Sequence, residues 1–157
     1  MDVDQQIQEL IANAPKDGKT PVLVRAIAPA LKNMAGQLSH SQYYVVKTDD
    51  DGWLITPLQN RSDPSLEKKV VYAYPTMVDA RASFHHSEHP KVLAVLIPVT
   101  HILFQMLAMK TVNSTVFFES PGNITPAIEV TQSHLLTTIK DVYRESQTLS
   151  QKPSDIA

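Results

Sequence analysis

The run Phe84-His85-His86-Ser87-Glu88-His89-Pro90 crowds three imidazoles and a carboxylate into a short stretch of chain. On a helix, His85 and His89 would share one face at i, i+4 spacing, the arrangement by which two imidazoles hold zinc, and Glu88 could add an oxygen. The order is HHSEH rather than HExxH, so no glutamate sits between spaced histidines where a metalloprotease keeps its base. Ser87 and Pro90 favour a loop. The sequence therefore predicts an exposed polar loop without a specific metal, and no catalytic, cofactor-binding or metal-ligating residue is assigned. The alternative is a small metal-dependent enzyme or ligand-binding protein that uses His85, His86 and His89 with a distant carboxylate such as Asp79.

Other chemistries find less support. Asp49, Asp50 and Asp51 precede Gly52, but a calcium loop spreads its oxygens over about 12 residues and closes on a bidentate glutamate, a spacing absent here. No G-x-S-x-G elbow is present for a serine nucleophile. The turn Ser120-Pro121-Gly122-Asn123 offers backbone N–H groups that could form an anion-binding concavity. The preferred reading is a structural turn that needs glycine at positive φ. Glu119 and Glu129 flank this hairpin without a spacing that selects paired-carboxylate catalysis. The chain has no cysteine, which removes disulfides, thiolate catalysis and sulfur-ligated metals and favours a reducing compartment.

These groups must be held by a chain of 157 residues, a length that suits one domain. The expectation is a single globular domain over 1–149, with 1–39 as a helical segment and 150–157 as a flexible tail. A formal charge of -2 gives no global field to draw the protein onto nucleic acid or an anionic membrane. Neither is expected as a partner. The N-terminus places acidic and amide residues where a secretory signal needs a basic segment and an apolar run. The most apolar stretch, 92–99, is about half the length of a membrane-spanning helix and contains Pro98. The localisation expected is cytoplasmic.

Periodicity supplies the elements. Val3, Ile7, Leu10 and Ile11 fall at helical spacing, and a second helix follows Thr20 as cap, with Pro21 in its first turn and Ile27, Leu31, Met34 and Leu38 on one stripe. Residues 43–48 and 53–58 read as a hairpin across the acidic turn. Residues 69–74 form a third strand, Thr76 caps a short helix, 92–98 form a buried strand, and 114–119 and 127–130 are the last strands. The closing helix, from Gln132 to about Thr148, is predicted to bury Leu136, Ile139 and Tyr143. The fold class is α/β (α+β): a mixed sheet of about five or six strands in a single layer, packed with helices.

Within this frame, residues 100–110 (THILFQMLAMK) are unusual. Ile102, Leu103, Phe104, Met106, Leu107 and Met109 occupy nearly every direction around a helix, more than one contact with a sheet requires. Such a helix is either central core or a partner surface, and methionine suits an adaptable surface. The expected partner is another protein or a second copy of the chain; any small-molecule ligand is unknown.

The order of elements from Gln42 to Val142 resembles the N-terminal domain of SseB-type proteins, the enhanced serine sensitivity protein B family. The likeness is carried by the strand pair YYVVKTDDDGWLITPLQ, by VYAYPTMVDARAS, by the apolar helix THILFQMLAMK, and by STVFFESPGN with its closing helix. Tyr74-Pro75-Thr76 stands where that family tends to an FTS-like turn, and Ser120-Pro121-Gly122-Asn123 where it tends to an NPGS-like one. The resemblance implies an α/β interaction or adaptor domain and transfers no catalytic residue.

Overall fold

A computed structural model describes residues 2–48, 52–59, 62–63, 65–84 and 91–151, with the side chains of 142–143 and 145–151 outside the description. The first helix, α1 (Val3–Asn13), starts on a reciprocal cap. The Gln5 amide donates to Asp2 Oδ1 at 2.8 Å, and the Asp2 amide donates to Gln5 Oε1 at 3.0 Å. Two otherwise orphaned donors are thereby satisfied.

The second helix, α2 (Thr20–Gly36), corrects one expectation. Thr20 is already helical, and Asp17 anchors the start by accepting from the Thr20 amide, the Thr20 hydroxyl and the Lys19 amide, each at 2.8 Å. These bonds, the Thr20 amide first, hold the Asp17 carboxyl below its ordinary range. Pro21 fits in the first turn, where a missing N–H costs nothing.

The strands are β1 (Gln42–Lys47), β2 (Thr56–Gln59), β3 (Glu67–Tyr74), β4 (Leu93–Pro98), β5 (Ser114–Ser120) and β6 (Asn123–Thr131). They form one mixed sheet in the order β4-β1-β3-β5-β6, with β2 also paired to β3. The β3–β5 pair is parallel and the other pairs are antiparallel. Three helices complete the fold: α3 (Met77–Ala82), α4 (Val99–Ala108) and α5 (Gln132–Gln151). The architecture is α+β, as the element pattern predicts. Residues 152–157, most of the expected tail, lie outside the described residues, and α5 itself runs through Gln151.

The expected hairpin is formed at its base and then diverges. Thr48 donates to the Gly52 carbonyl and Leu54 to the Val46 carbonyl, each at 2.8 Å, and Trp53 bridges Lys47. Beyond that, β2 pairs with β3 from Thr56↔Val70 to Gln59↔Glu67. The reason is competition for one edge: the other half of β3 already holds β1 through Tyr44↔Tyr74 and Val45↔Ala73. The returning chain therefore leaves β1 and fills the remaining half of β3. Asp49, Asp50 and Asp51 lie outside the described residues.

One sheet face is covered by helices. Tyr43, Val45, Val71, Ala73, Phe117 and Val130 meet Leu31, Met34, Ile102, Leu103, Met106 and Leu135 in the main core. Gln6 is buried with them. Its side-chain amide donates to the Ser41 carbonyl at 2.8 Å, and its Oε1 accepts from the Thr100 amide at 3.1 Å and hydroxyl at 2.8 Å. A polar group in this core is tolerated because its bonding capacity is used.

The closing helix is rotated from its expected setting. Leu135 is fully buried, Leu136 is 44% exposed, and Ile139 is partly buried against the core. Gln132 fixes this rotation at the start of α5: its amide donates to the Asn113 carbonyl at 2.8 Å and its side chain to the Met106 carbonyl at 3.1 Å. The inward stripe is therefore Leu135, Thr138 and Ile139, at i, i+3 and i+4. The Tyr143 side chain lies outside the description.

Candidate functional site

The opposite sheet face carries one short helix, α3, of six residues. Strand alternation sends Tyr72 and Tyr74 of β3 and Phe118 of β5 to this face, away from the helical core. Their rings lie side by side: Phe118 stacks on Tyr72 at 5.6 Å and 20° and on Tyr74 at 5.2 Å and 24°. The smaller core beneath α3 joins Tyr74 to Val46, Ala80, Phe84 and Val92. Among the described residues, no other helix lies on this face.

The aromatic floor forms one wall of a cavity of about 440 Å³, closed by Asp79, Ser83, Ser120, Asn123 and Ile124. A hollow of about 200 Å³ adjoins it through Tyr72, Tyr74 and Ser83 and extends to Leu54 and Thr56. Together they make a groove with an apolar base and a polar rim. Among the described residues, no lysine or arginine lines either hollow. Burial pushes the Tyr74 phenol upward, against the pull of a Ser83 hydrogen bond, so at neutral pH it is protonated.

Asp79 shapes the end of this groove. Thr76 caps α3 as expected, its hydroxyl accepting from the Asp79 amide at 3.1 Å and donating to Asp79 Oδ2 at 2.6 Å. The other carboxylate oxygen accepts the Gly122 amide at 2.9 Å. The anion concavity considered for the Gly122 turn is thus filled by the chain's own carboxylate. Gly122 has φ +73°, as a structural turn requires.

A second cavity, of about 560 Å³, lies on the helical side between α1, α4 and the β1–β4 edge. Glu9, Lys47, Trp53, Ile97, His101 and Phe104 are among its walls. Within it, the His101 ring Nε2 lies 3.0 Å from the Gln6 carbonyl. The proposed partner surface on α4 is divided by the fold. Ile102, Leu103 and Met106 are fully buried in the chain's own core, whereas Phe104, Leu107 and Met109 are half-buried against it. Three of the six residues therefore have no surface to offer, because they pack into the main core while α4 also meets α1 and α2.

Glu119 is engaged apart from both cavities. The Tyr43 hydroxyl donates to Glu119 Oε2 at 2.7 Å, the Ser39 amide reaches the same carboxylate at 3.2 Å, and the His40 ring meets the Glu119 carbonyl at 2.7 Å. Burial, then the bond to Glu119, raises the Tyr43 pKa well above the ordinary tyrosine value. Such a phenol is a structural donor and a poor nucleophile. Glu129 instead pairs with Lys68 and accepts from the Ser114 hydroxyl at 2.6 Å, contacts that lower its pKa, with the Lys68 bond first. The two carboxylates serve separate local networks.

His85, His86, Glu88 and His89 lie outside the described residues. Among the described residues, no group of three histidine, aspartate or glutamate side chains is placed to hold a metal ion. No helix among them is long and apolar enough to cross a membrane. No protein-family model and no curated protein matches the chain. The aromatic groove was not anticipated from sequence, although one signal was present: the alternating aromatics Tyr72 and Tyr74 share a strand face, and Phe118 has the same parity on β5.

Proposed function

We propose that this chain is a non-enzymatic interaction or adaptor domain, related in kind to the SseB-type proteins it resembles, and that it holds a protein partner on the open sheet face. The observation that supports this reading is the mismatch between the face and its cover. Among the described residues, the cover is a six-residue helix beside an aromatic groove, with Leu54, 39% exposed, at one end and Ile124, 75% exposed, at the other. Interaction sites combine an apolar, aromatic-rich centre with a polar rim. Here Tyr72 and Phe118 supply the centre, and Asp79, Ser83, Ser120 and Asn123 the rim.

The test uses the two exposed ends. Leu54→Lys combined with Ile124→Lys places charge at both without touching the main core, and Val22→Lys on α2 serves as a distant control. A partner recovered with the wild-type chain should bind the control unchanged and the double variant at least tenfold more weakly. Equal binding of all three would overturn the assignment to this face. Stoichiometric transition metal in the purified protein, lost when His85 and His89 are both replaced by alanine, would instead support the metal-dependent alternative.

A further inference from the structure

The outermost strand on one side of the sheet is β4, Leu93-Ala94-Val95-Leu96-Ile97-Pro98, which contains no charged residue. Its register with β1 includes Tyr43↔Ile97 and Val45↔Val95, and the Val99 amide donates to the Ser41 carbonyl at 2.9 Å. Antiparallel alternation then turns the backbone groups of residues 93, 95 and 97 toward β1. Those of Ala94 and Leu96 point outward. Among the described residues no strand pairs with them. Soluble proteins blunt such edges with lysines, inward-pointing charges, bulges or proline. In β4 the one such device is Pro98, at its very end, while Leu93 is 63% and Leu96 44% exposed.

We propose that β4 is a self-association edge: two copies of this chain pair their β4 strands antiparallel about a two-fold axis, with Ala94 of each copy opposite Leu96 of the other. The inference rests on the association reading and deepens it by naming a second copy as one partner. An outward row of backbone donors and acceptors calls for an extended strand, and an uncharged apolar strand is its own complement. Symmetric pairing sets no like charges opposite each other. It gives each Ala94 and Leu96 amide a carbonyl on the other copy, four hydrogen bonds in all by this geometry. On the side-chain level it lays Val95 against Val95 and covers Leu93 with the other copy's Ile97. Sliding the pair so that Leu96 faced Leu96 would set Leu93 against Val99, where α4 begins, and leave it uncovered.

Because the chain has no cysteine, single-cysteine variants read the register directly. Across the axis the two Val95 Cα atoms would lie about 4.5 Å apart, as in a non-hydrogen-bonded antiparallel pair, inside the range of about 4.4–6.8 Å that a disulfide spans. The two Leu93 positions would be four residues out of step, roughly 13 Å apart. The expected result is a concentration-dependent dimer of the wild-type chain in sedimentation, covalent dimer on mild oxidation of Val95→Cys, and none from Leu93→Cys. Matching melting temperatures would show that both variants fold. A wild-type chain that stays monomeric from micromolar to submillimolar loading would overturn the proposal, leaving the open-face reading to its own test. A dimer that Val95→Cys fails to cross-link would also overturn it, while keeping self-association through another surface.

Discussion

The Asp79 carboxylate accepts the Gly122 amide at 2.9 Å, joining the first turn of α3 to the β5–β6 turn across 43 residues of sequence. This contact closes one end of the aromatic groove with two elements that neither strand pairing nor helix packing would bring together. It also neutralises the most plausible anion site in the sequence from within. Asp79 sets a carboxylate at that end of the groove, and among the described residues no lysine or arginine lines it, a balance that favours neutral or cationic groups there.

Two glycine substitutions should have opposite signs. At Gly122, φ is +73° and an added Cβ meets nothing within 4 Å, so the cost of alanine is conformational, about 1–2 kcal/mol. Gly36, the last residue of α2, also has open space around it and no positive φ. Gly36→Ala is expected to stabilise by about 0.4–1 kcal/mol through the unfolded chain. Denaturant midpoints should therefore fall for the first variant and rise for the second.

Adjacent leucines in α5 separate core from surface. Leu135→Ala should destabilise by about 2–5 kcal/mol, the range for removing a large buried aliphatic side chain, whereas Leu136→Ala should lie within about 0.5 kcal/mol of wild type. Comparable losses at both positions in chemical denaturation would contradict the rotation fixed by Gln132.

The places where sequence reading succeeded and failed follow from this geometry. Strand and helix types were legible because periodicities of two and 3.6 report local burial, and Thr76 announced its helix through cap chemistry alone. The partner of β2 was not legible, since the choice between β1 and β3 depends on which edge is already filled. The rotation of α5 was also hidden: Leu135 and Leu136 are neighbours on the apolar arc, and a tertiary bond from Gln132 to the Met106 carbonyl decides between them. Hydrophobicity all round α4 left both core and interface open, and packing places Ile102, Leu103 and Met106 inside. The aromatic groove needs the parallel β3–β5 register to bring Phe118 beside Tyr74, a pairing that no local pattern specifies.

Gln6 should behave as a structural pin. Gln6→Ala removes the partner of the Ser41 carbonyl and of the Thr100 amide and hydroxyl together, at a fully buried site. Buried groups left unpaired cost about 1–3 kcal/mol, so a loss in or above that range is expected from equilibrium unfolding. Hydrogen exchange at the start of α4 should quicken more than at α5, because the Thr100 amide loses its acceptor. Uniform acceleration across both helices would show that Gln6 acts through global stability alone.

Alkaline pH should expose the role of Tyr43. An unfolded tyrosine ionises near about 10, while in the native protein burial and the bond to Glu119 raise the Tyr43 pKa well above that. As pH climbs past the unfolded value, the unfolded chain releases a proton that the native chain retains. The stability contributed by the neutral phenol is therefore complete below about pH 10 and is lost above it. Tyr74, raised by burial, adds to the same slope. Denaturant midpoints of the wild-type chain should fall between about pH 9.5 and 11, and Tyr43→Phe should fall less steeply, by up to one proton in the linkage slope. The variant should be less stable than wild type at neutral pH, since Glu119 loses its shortest side-chain hydrogen bond, and the two curves should converge as pH rises. Parallel curves would mean that Tyr43 ionises as readily folded as unfolded, and the Tyr43–Glu119 contact would then carry no protonation-linked stability.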